Sequence, residues 1–255
     1  MQYPIRKTIL TACMAIASVA FATATISGKD QSSKSIENNS AVMVAPAPAP
    51  APSPAATAEV SKALYNELDL ASNGMKPEVL ELALKGFNKL ADEGKLTRQD
   101  KITIVDFSQP SNQKRLYVID LDKKQVLFQS LVSHGRGTGE LWAKSFSNNP
   151  SSYKSSPGFY VTEETYTGHN GYSLRLEGME KGINDNARDR AIVMHGAAYA
   201  NESTVNTLGF LGRSQGCPAL PLSIYKPIIN TIKDGTCLFI YAPDASYLSH
   251  SELVS

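Results

Sequence analysis

The segment Gly212-Arg213-Ser214-Gln215-Gly216-Cys217-Pro218 carries the residue best suited to covalent chemistry in this chain. A cysteine nucleophile needs a thiolate, an approachable backbone and a nearby proton acceptor. Gly216 removes a side chain beside the sulfur, so a carbonyl substrate can come close to the main chain. The amides of Gly216 and Cys217 there form a candidate oxyanion hole. The plain alternative is a buried structural cysteine, a common fate for the residue type. A second segment, Ala191-Ile192-Val193-Met194-His195-Gly196, reads as an apolar strand that delivers one histidine to its end. Alone it is a rim histidine; beside Cys217 it is a base able to lower the thiol pKa and take its proton. The pair points to nucleophilic attack on a carbonyl.

The elements that must position these residues follow from periodicity. Short runs rich in Val, Ile, Phe and Tyr predict strands at 102–106, 115–121, 126–133, 158–162, 173–176, 191–195 and 236–241, the second and third joined across Asp122-Lys123-Lys124. Helical spacing of Val60, Leu64, Leu68 and Ala71, and of Val79, Leu82, Leu84, Phe87 and Leu90 after Pro77, predicts two N-terminal helices, with Gly94 as a stop. One late helix is expected at 226–233, opened near Pro227 and ended by Gly235. The fold class is therefore mainly β, with two N-terminal helices and one late helix.

Ahead of these elements the chain is not globular in character. Arg6 and Lys7 precede an apolar run over 8–22, and small residues at Ala22 and Ala24 fit a cleavage site, so 1–24 reads as a secretory signal peptide. The run is too short for a stable membrane span, which needs about 20 apolar residues. Leu10-Thr11-Ala12-Cys13 also resembles a lipobox, but few apolar residues precede Cys13, and the lipoprotein reading is the lesser one. Residues 25–57 are Ser/Asn-rich and then Ala/Pro-rich, an extended tether. The remainder divides into a helical segment at 58–98, a catalytic domain at 99–243 and a tail at 244–255. With 25 Lys+Arg against 24 Asp+Glu the net charge is +1, which argues against a broad phosphate-facing surface and so against a nucleic-acid partner. Three cysteines exclude a disulfide framework, and Cys237, inside an apolar strand, reads as core.

His195-Gly196 followed by Ser214-Gln215-Gly216-Cys217 resembles the His-Gly and Ser-x-Gly-Cys signature of the L,D-transpeptidase catalytic domain (YkuD-type) family of bacterial cell-wall enzymes. Segments 105–108, 115–120, 133–137, 147–148, 155–160 and 172–178 are similar to its secreted murein branch, and the resemblance covers about residues 60–243. It implies a β-rich fold in which Cys217 attacks a peptidoglycan stem peptide and His195 shuttles the proton, with a backbone carbonyl near Gly196 orienting the imidazole. By the same resemblance Ser214 shapes the pocket. Many members carry Arg or Asn two residues after the cysteine, where this chain has Ala219. Either Arg213 supplies that donor or the substrate is held differently.

The expected activity is a peptidoglycan L,D-transpeptidase that transfers the acyl group from the cysteine to an acceptor amine. An L,D-carboxypeptidase with the same pair, or a wall-binding module without chemistry, is the alternative. The location implied is the periplasm or cell wall. His134 and His169, in glycine-flanked segments, are candidates to line the cleft. Arg175, Arg188 and Arg190 are candidate carboxylate binders, with a solvated surface as the default for each. No cofactor is called for, and the spacings of His134, His169, His195 and Cys217 match no compact zinc motif.

Overall fold

The computed structural model describes residues 54–255. The signal peptide at 1–24, Cys13 and the tether up to residue 53 lie outside the described residues. The elements run α1 (Pro54–Glu67), α2 (Pro77–Asp92), β1 (Lys101–Asp106), β2 (Leu116–Asp120), β3 (Gln125–Ser130), β4 (Gly158–Gly168), β5 (Gly171–Gly178), β6 (Val193–Ala197), α3 (Glu202–Leu208), β7 (Ala219–Pro221), α4 (Tyr225–Ile232), β8 (Cys237–Tyr241) and α5 (Ala245–His250). The last residues of the segment read as tether thus belong to α1.

The eight strands form one mixed sheet in the order β3-β2-β1-β8-β4-β5-β6-β7. β1 pairs with β8, and β6 with β7, in parallel; the other neighbours are antiparallel. Beyond β3 the chain bridges back from Ser133 to Ala219 of β7, which brings the two ends of the sheet together.

Both faces of the central strands are buried, so alternation sorts residues between two cores rather than between core and water. Ile102 and Ile104 of β1, Tyr117 and Ile119 of β2, and Phe239 and Tyr241 of β8 face one core; Val105, Leu116, Val118, Leu238 and Ile240 face the other. The first core is covered by α2, which buries Val79, Leu80, Ala83, Leu84, Phe87 and Leu90 along one stripe. Each such side chain contributes about 1.5–3 kcal/mol when removed fully from water. The second core is covered by α4 through Ile228, Ile229 and Ile232. Cys237 belongs to the first core and Cys217 to the second, so the sheet stands between the two thiols.

Several details differ from expectation. Val60 is exposed rather than packed, and the buried side of α1 is carried by Ser61 and Leu64, with Leu68 buried just beyond its end. β4 continues past residue 162 into a long hairpin with β5, because β5 pairs with it as far as Gly168, whereas β8 pairs only with Gly158–Val161. β7, α3 and α5 are additional elements. Residues 244–255, read as a tail, form α5 and bury Tyr247, Leu253 and Val254 in the first core. Buried Glu180 anchors that segment, accepting hydrogen bonds from the Tyr247 hydroxyl at 3.4 Å, from Ser251 Oγ and from the Phe159 amide at 2.7 Å.

Candidate active site

β6 carries His195 between Ser173 of β5 and Ala219 of β7. Continued backwards, the parallel β6/β7 register sets Cys217 beside Val193, two residues short of His195. One such step along a strand is roughly 7 Å, within reach of an imidazole and a thiol. That is why a histidine at a strand end and a cysteine just before a short parallel strand come to the same cleft although 22 positions separate them. Both line a cleft of about 590 Å³, together with Arg190, Tyr199, Arg213, Ser214 and His169.

His195 is buried, and its Nδ1 lies 3.0 Å from the Gly196 carbonyl. A carbonyl only accepts, so Nδ1 carries the hydrogen and Nε2 keeps its lone pair. Burial pulls the imidazole pKa below 6.5, partly offset by the Gly196 bond. Gly196 also makes room, since a Cβ there would stand 2.7 Å from the Tyr225 ring.

Burial pushes the Cys217 thiol up; the Val193 amide, the Arg190 charge and its own amide act against that. Sγ accepts from Val193 N at 3.5 Å and donates to the Ala191 carbonyl at 3.7 Å. Both displacements favour the uncharged form of the group, and the thiol hydrogen points to the Ala191 carbonyl.

A web of short bonds fixes the backbone around the sulfur. Ser214 Oγ accepts from Gly216 N at 3.0 Å and donates to the Cys217 carbonyl at 2.7 Å. Ser155 Oγ accepts from Gly135 N at 3.1 Å and donates to the Gly216 carbonyl at 3.0 Å. Ser214 N donates to the His134 carbonyl at 3.0 Å, and Ser133 Oγ to the Gly212 carbonyl at 2.7 Å. Of the two amides read as an oxyanion hole, that of Gly216 is thus engaged by Ser214. Gly216 has φ +129, and a Cβ would stand 2.8 Å from the Lys154 carbonyl. The glycine is required by backbone conformation and close approach rather than by substrate access alone.

The remaining candidates separate. His169, at the tip of the β4/β5 hairpin, is exposed and lines the cleft. His134 does not line it: the side chain is buried against Phe107, its Nδ1 accepts from Arg115 Nη2 at 2.8 Å and its Nε2 donates to the Gly139 carbonyl at 3.2 Å. Burial and the Arg115 charge pull its pKa down to about 4. Arg213 reaches the cleft but is paired with Glu140 at 3.7 Å. Ala219 is wholly buried between His195 and Ser133. Arg190 lines the cleft, with its guanidinium donating to the Ser147 and Lys154 carbonyls and to Ser156 Oγ, at 2.9, 2.6 and 2.7 Å. Arg175 pairs with Glu164 at 2.9 Å and Arg188 with Glu163, both away from the cleft. Sequence reasoning passed over Tyr199, whose hydroxyl is pushed up to about 12 by burial and by Cys217, and the Ser155 clasp.

A family model described as the L,D-transpeptidase catalytic domain matches residues 71–241. Among solved structures the chain is similar to an L,D-transpeptidase from Mycobacterium smegmatis, at 12% identity over 56% of this chain and 59% of that one, with a TM-score of 0.35. It is similar to one from Stackebrandtia nassauensis, at 14% identity over 74% and 79%, with a TM-score of 0.35. L,D-transpeptidase 3 from Mycobacterium tuberculosis is 14% identical over 56% and 61%, with a TM-score of 0.35. The chain thus spans less than two thirds of the Mycobacterium smegmatis structure. No curated protein matches the sequence.

Proposed function

Because the chain belongs to the L,D-transpeptidase catalytic domain family, we propose that it is a peptidoglycan L,D-transpeptidase in which Cys217 is the nucleophile and His195 the general base. The observation that carries this reading is the His195 tautomer: Nδ1–H is tied to the Gly196 carbonyl at 3.0 Å, which turns a lone pair on Nε2 into the cleft that Cys217 lines.

In the first half-reaction the Cys217 thiol turns from the Ala191 carbonyl toward His195 and gives its proton to Nε2 as sulfur attacks a stem-peptide carbonyl carbon. The C–S bond forms, the carbonyl becomes an oxyanion, and collapse of that intermediate expels the amine of a D-amino acid, which takes the proton from His195. In the second half-reaction an acceptor amine attacks the thioester, loses its proton to Nε2, and the thiol is restored. The Ser214 and Ser155 clasps hold the sulfur's backbone still through both halves. Arg190 and Arg213 supply positive charge for a stem carboxylate. The substrate lies outside the inner membrane, which agrees with the signal-like start of the chain and assigns the enzyme to the periplasm or wall.

The test is mass spectrometry of disaccharide tetrapeptides incubated with the purified protein and an acceptor amine. Cross-linked or amine-exchanged products, absent with Cys217→Ala, are expected. Shortened stems dominating at saturating acceptor would make the protein an L,D-carboxypeptidase. No turnover under any condition would return it to a wall-binding role.

A further inference from the structure

Arg190 belongs to the turn that leads into β6, and that turn wraps the sulfur. The amides of Arg190, Ala191 and Ile192 donate to the carbonyls of Asn186, Arg188 and Ala187 at 2.9, 3.0 and 2.9 Å. Ala191 is held there at φ +52, a left-handed conformation that residues with a Cβ seldom adopt. From that bend the Ala191 carbonyl meets Cys217 Sγ at 3.7 Å, and the Val193 amide meets it at 3.5 Å. The Arg190 side chain reaches the backbone just before the nucleophile, since a Cβ on Gly216 would stand 3.4 Å from Nη2.

Four hydrogen bonds fix the guanidinium. Nη1 donates to the Ser147 carbonyl and Ser156 Oγ at 2.9 and 2.7 Å, and Nη2 to Ser152 Oγ and the Lys154 carbonyl at 3.3 and 2.6 Å. Lys154 and Ser156 flank Ser155, whose hydroxyl holds the Gly216 carbonyl at 3.0 Å. The arginine thus fixes both neighbours of the residue that fixes the backbone beside the sulfur. A guanidinium has only five N–H groups, so a bidentate grip on a carboxylate would break some of these bonds. Arg190 therefore acts on the cleft through its charge, with its fork committed to the loop.

All four acceptors are neutral, and among the described residues no carboxylate pairs with Arg190. Of the other titratable groups lining the cleft, Arg213 is offset by Glu140 at 3.7 Å, burial favours the uncharged forms of His195 and Tyr199, and His169 sits on the exposed hairpin tip. Lys154 turns its ammonium onto Ser145 Oγ at 2.7 Å. Burial works against the Arg190 charge, whereas Tyr160 and Cys217 act in its favour. We infer that Arg190 is the positioning residue of the nucleophile: it ties the Ser155 loop to the turn around the sulfur, and its uncompensated charge stabilises the thiolate left when Cys217 gives its proton to His195. The inference rests on Cys217 being the nucleophile, as given under the proposed function.

The test is the pH dependence of alkylation by iodoacetamide, an uncharged probe that needs no carboxylate site, read by mass spectrometry on the Cys217 peptide of the full-length protein. Arg190→Gln removes the charge and Arg190→Lys keeps it. Ser152→Asp sets a carboxylate against the guanidinium while leaving Arg190 in place. In Arg190→Gln and in Ser152→Asp the inflection should rise by about one pH unit or more, the size expected when a thiolate loses an adjacent cation. The rate at neutral pH should fall only about threefold, because a more basic thiolate is also the better nucleophile. Arg190→Lys should recover at least about half of the shift. Hydrogen exchange at 152–156 should quicken in Arg190→Gln and Arg190→Lys, since neither side chain reproduces the fork. An inflection unmoved in Ser152→Asp overturns the inference, and that variant decides the matter where Arg190→Gln does not fold. Equal shifts in the Gln and Lys variants, or unchanged exchange in both, leave Arg190 as packing alone and overturn it too. Normal muropeptide turnover by the wild type with no shift in any variant overturns the inference and leaves the activity standing. The full set of shifts in a protein inert toward muropeptides supports the inference and removes the transpeptidase reading instead.

Discussion

Replacing Ser214 by alanine deletes a hydroxyl that accepts from Gly216 N at 3.0 Å and donates to the Cys217 carbonyl at 2.7 Å. Gly216 and Cys217 are both buried, so water does not readily replace either bond. A buried donor or acceptor left alone costs about 1–3 kcal/mol, so losing a partner for both a donor and an acceptor costs on the order of 3 kcal/mol. For a domain of this size that lowers the melting temperature by roughly 6–12 °C. Urea unfolding and calorimetry of the purified variant measure it. The same hydroxyl sets where the sulfur sits, so kcat should fall by at least about tenfold even where the variant is fully folded, since a displacement of about 1 Å can cost a hundredfold. Ser214→Thr, which keeps the oxygen, should recover most of both. An unfolding free energy within ~0.5 kcal/mol of wild type and unchanged kcat would refute the account of Ser214 as a clasp.

Cys217→Ala should abolish turnover while unfolding like the wild type, and His195→Ala should be nearly as damaging; mass spectrometry of muropeptides reads both, and near-normal turnover by Cys217→Ala sinks the mechanism. The base must be neutral to act, so kcat/KM should rise with pH through an inflection below 6.5, the side to which burial displaces His195; an inflection above 6.5 contradicts the site. Iodoacetamide on the native protein should alkylate Cys217 and spare Cys237, which is wholly enclosed in the opposite core and whose thiol burial pushes up; equal labelling in peptide maps contradicts the fold. His134 is held near 4 when folded and titrates at about 6.5 when unfolded, so the unfolded chain binds the extra proton and stability is lost as pH falls from 6.5 toward 4, by about 3 kcal/mol for this group. Glu180, raised by burial, acts in the opposite sense, so the readout is the difference in pH slope between wild type and His134→Gln, and identical slopes refute the assignment.

The interior strands were legible because β-branched and aromatic runs bounded by turn residues have few other fates, and β1, β2 and β8 lie within a residue or two of where those runs predict them. β7 was not, since Ala219, Leu220 and Pro221 form a strand only because β6 is there to pair with. α3 has no apolar face to announce it; the Asn201 cap on Thr204 N and Gly209 at φ +81 define it. Cys217 and His195 could be singled out from their glycine-flanked settings, but the Ser155 clasp could not. It joins Gly135 to Gly216 across 81 positions and exists only once the loops are laid over one another.

Two histidines, each followed by glycine, show how far residue type falls short of role. His195 has a carbonyl beside Nδ1 at 3.0 Å, which can only accept, so its other nitrogen is left with a lone pair facing the cleft. His134 has the Arg115 guanidinium beside Nδ1 at 2.8 Å, which can only donate, so its hydrogen sits on Nε2 and is given to the Gly139 carbonyl. Both nitrogens of His134 are occupied, and no shift in its pKa would make it a base. Its part is mechanical: its own carbonyl takes the Ser214 amide, so the buried Arg115 holds the imidazole and the residue holds the loop that carries Cys217. Arg115, bonded also to the carbonyls of Gln109 and Val132, is thus the residue that separates strut from base. The opposite tautomers follow from one neighbour each, a carbonyl in one case and a guanidinium in the other.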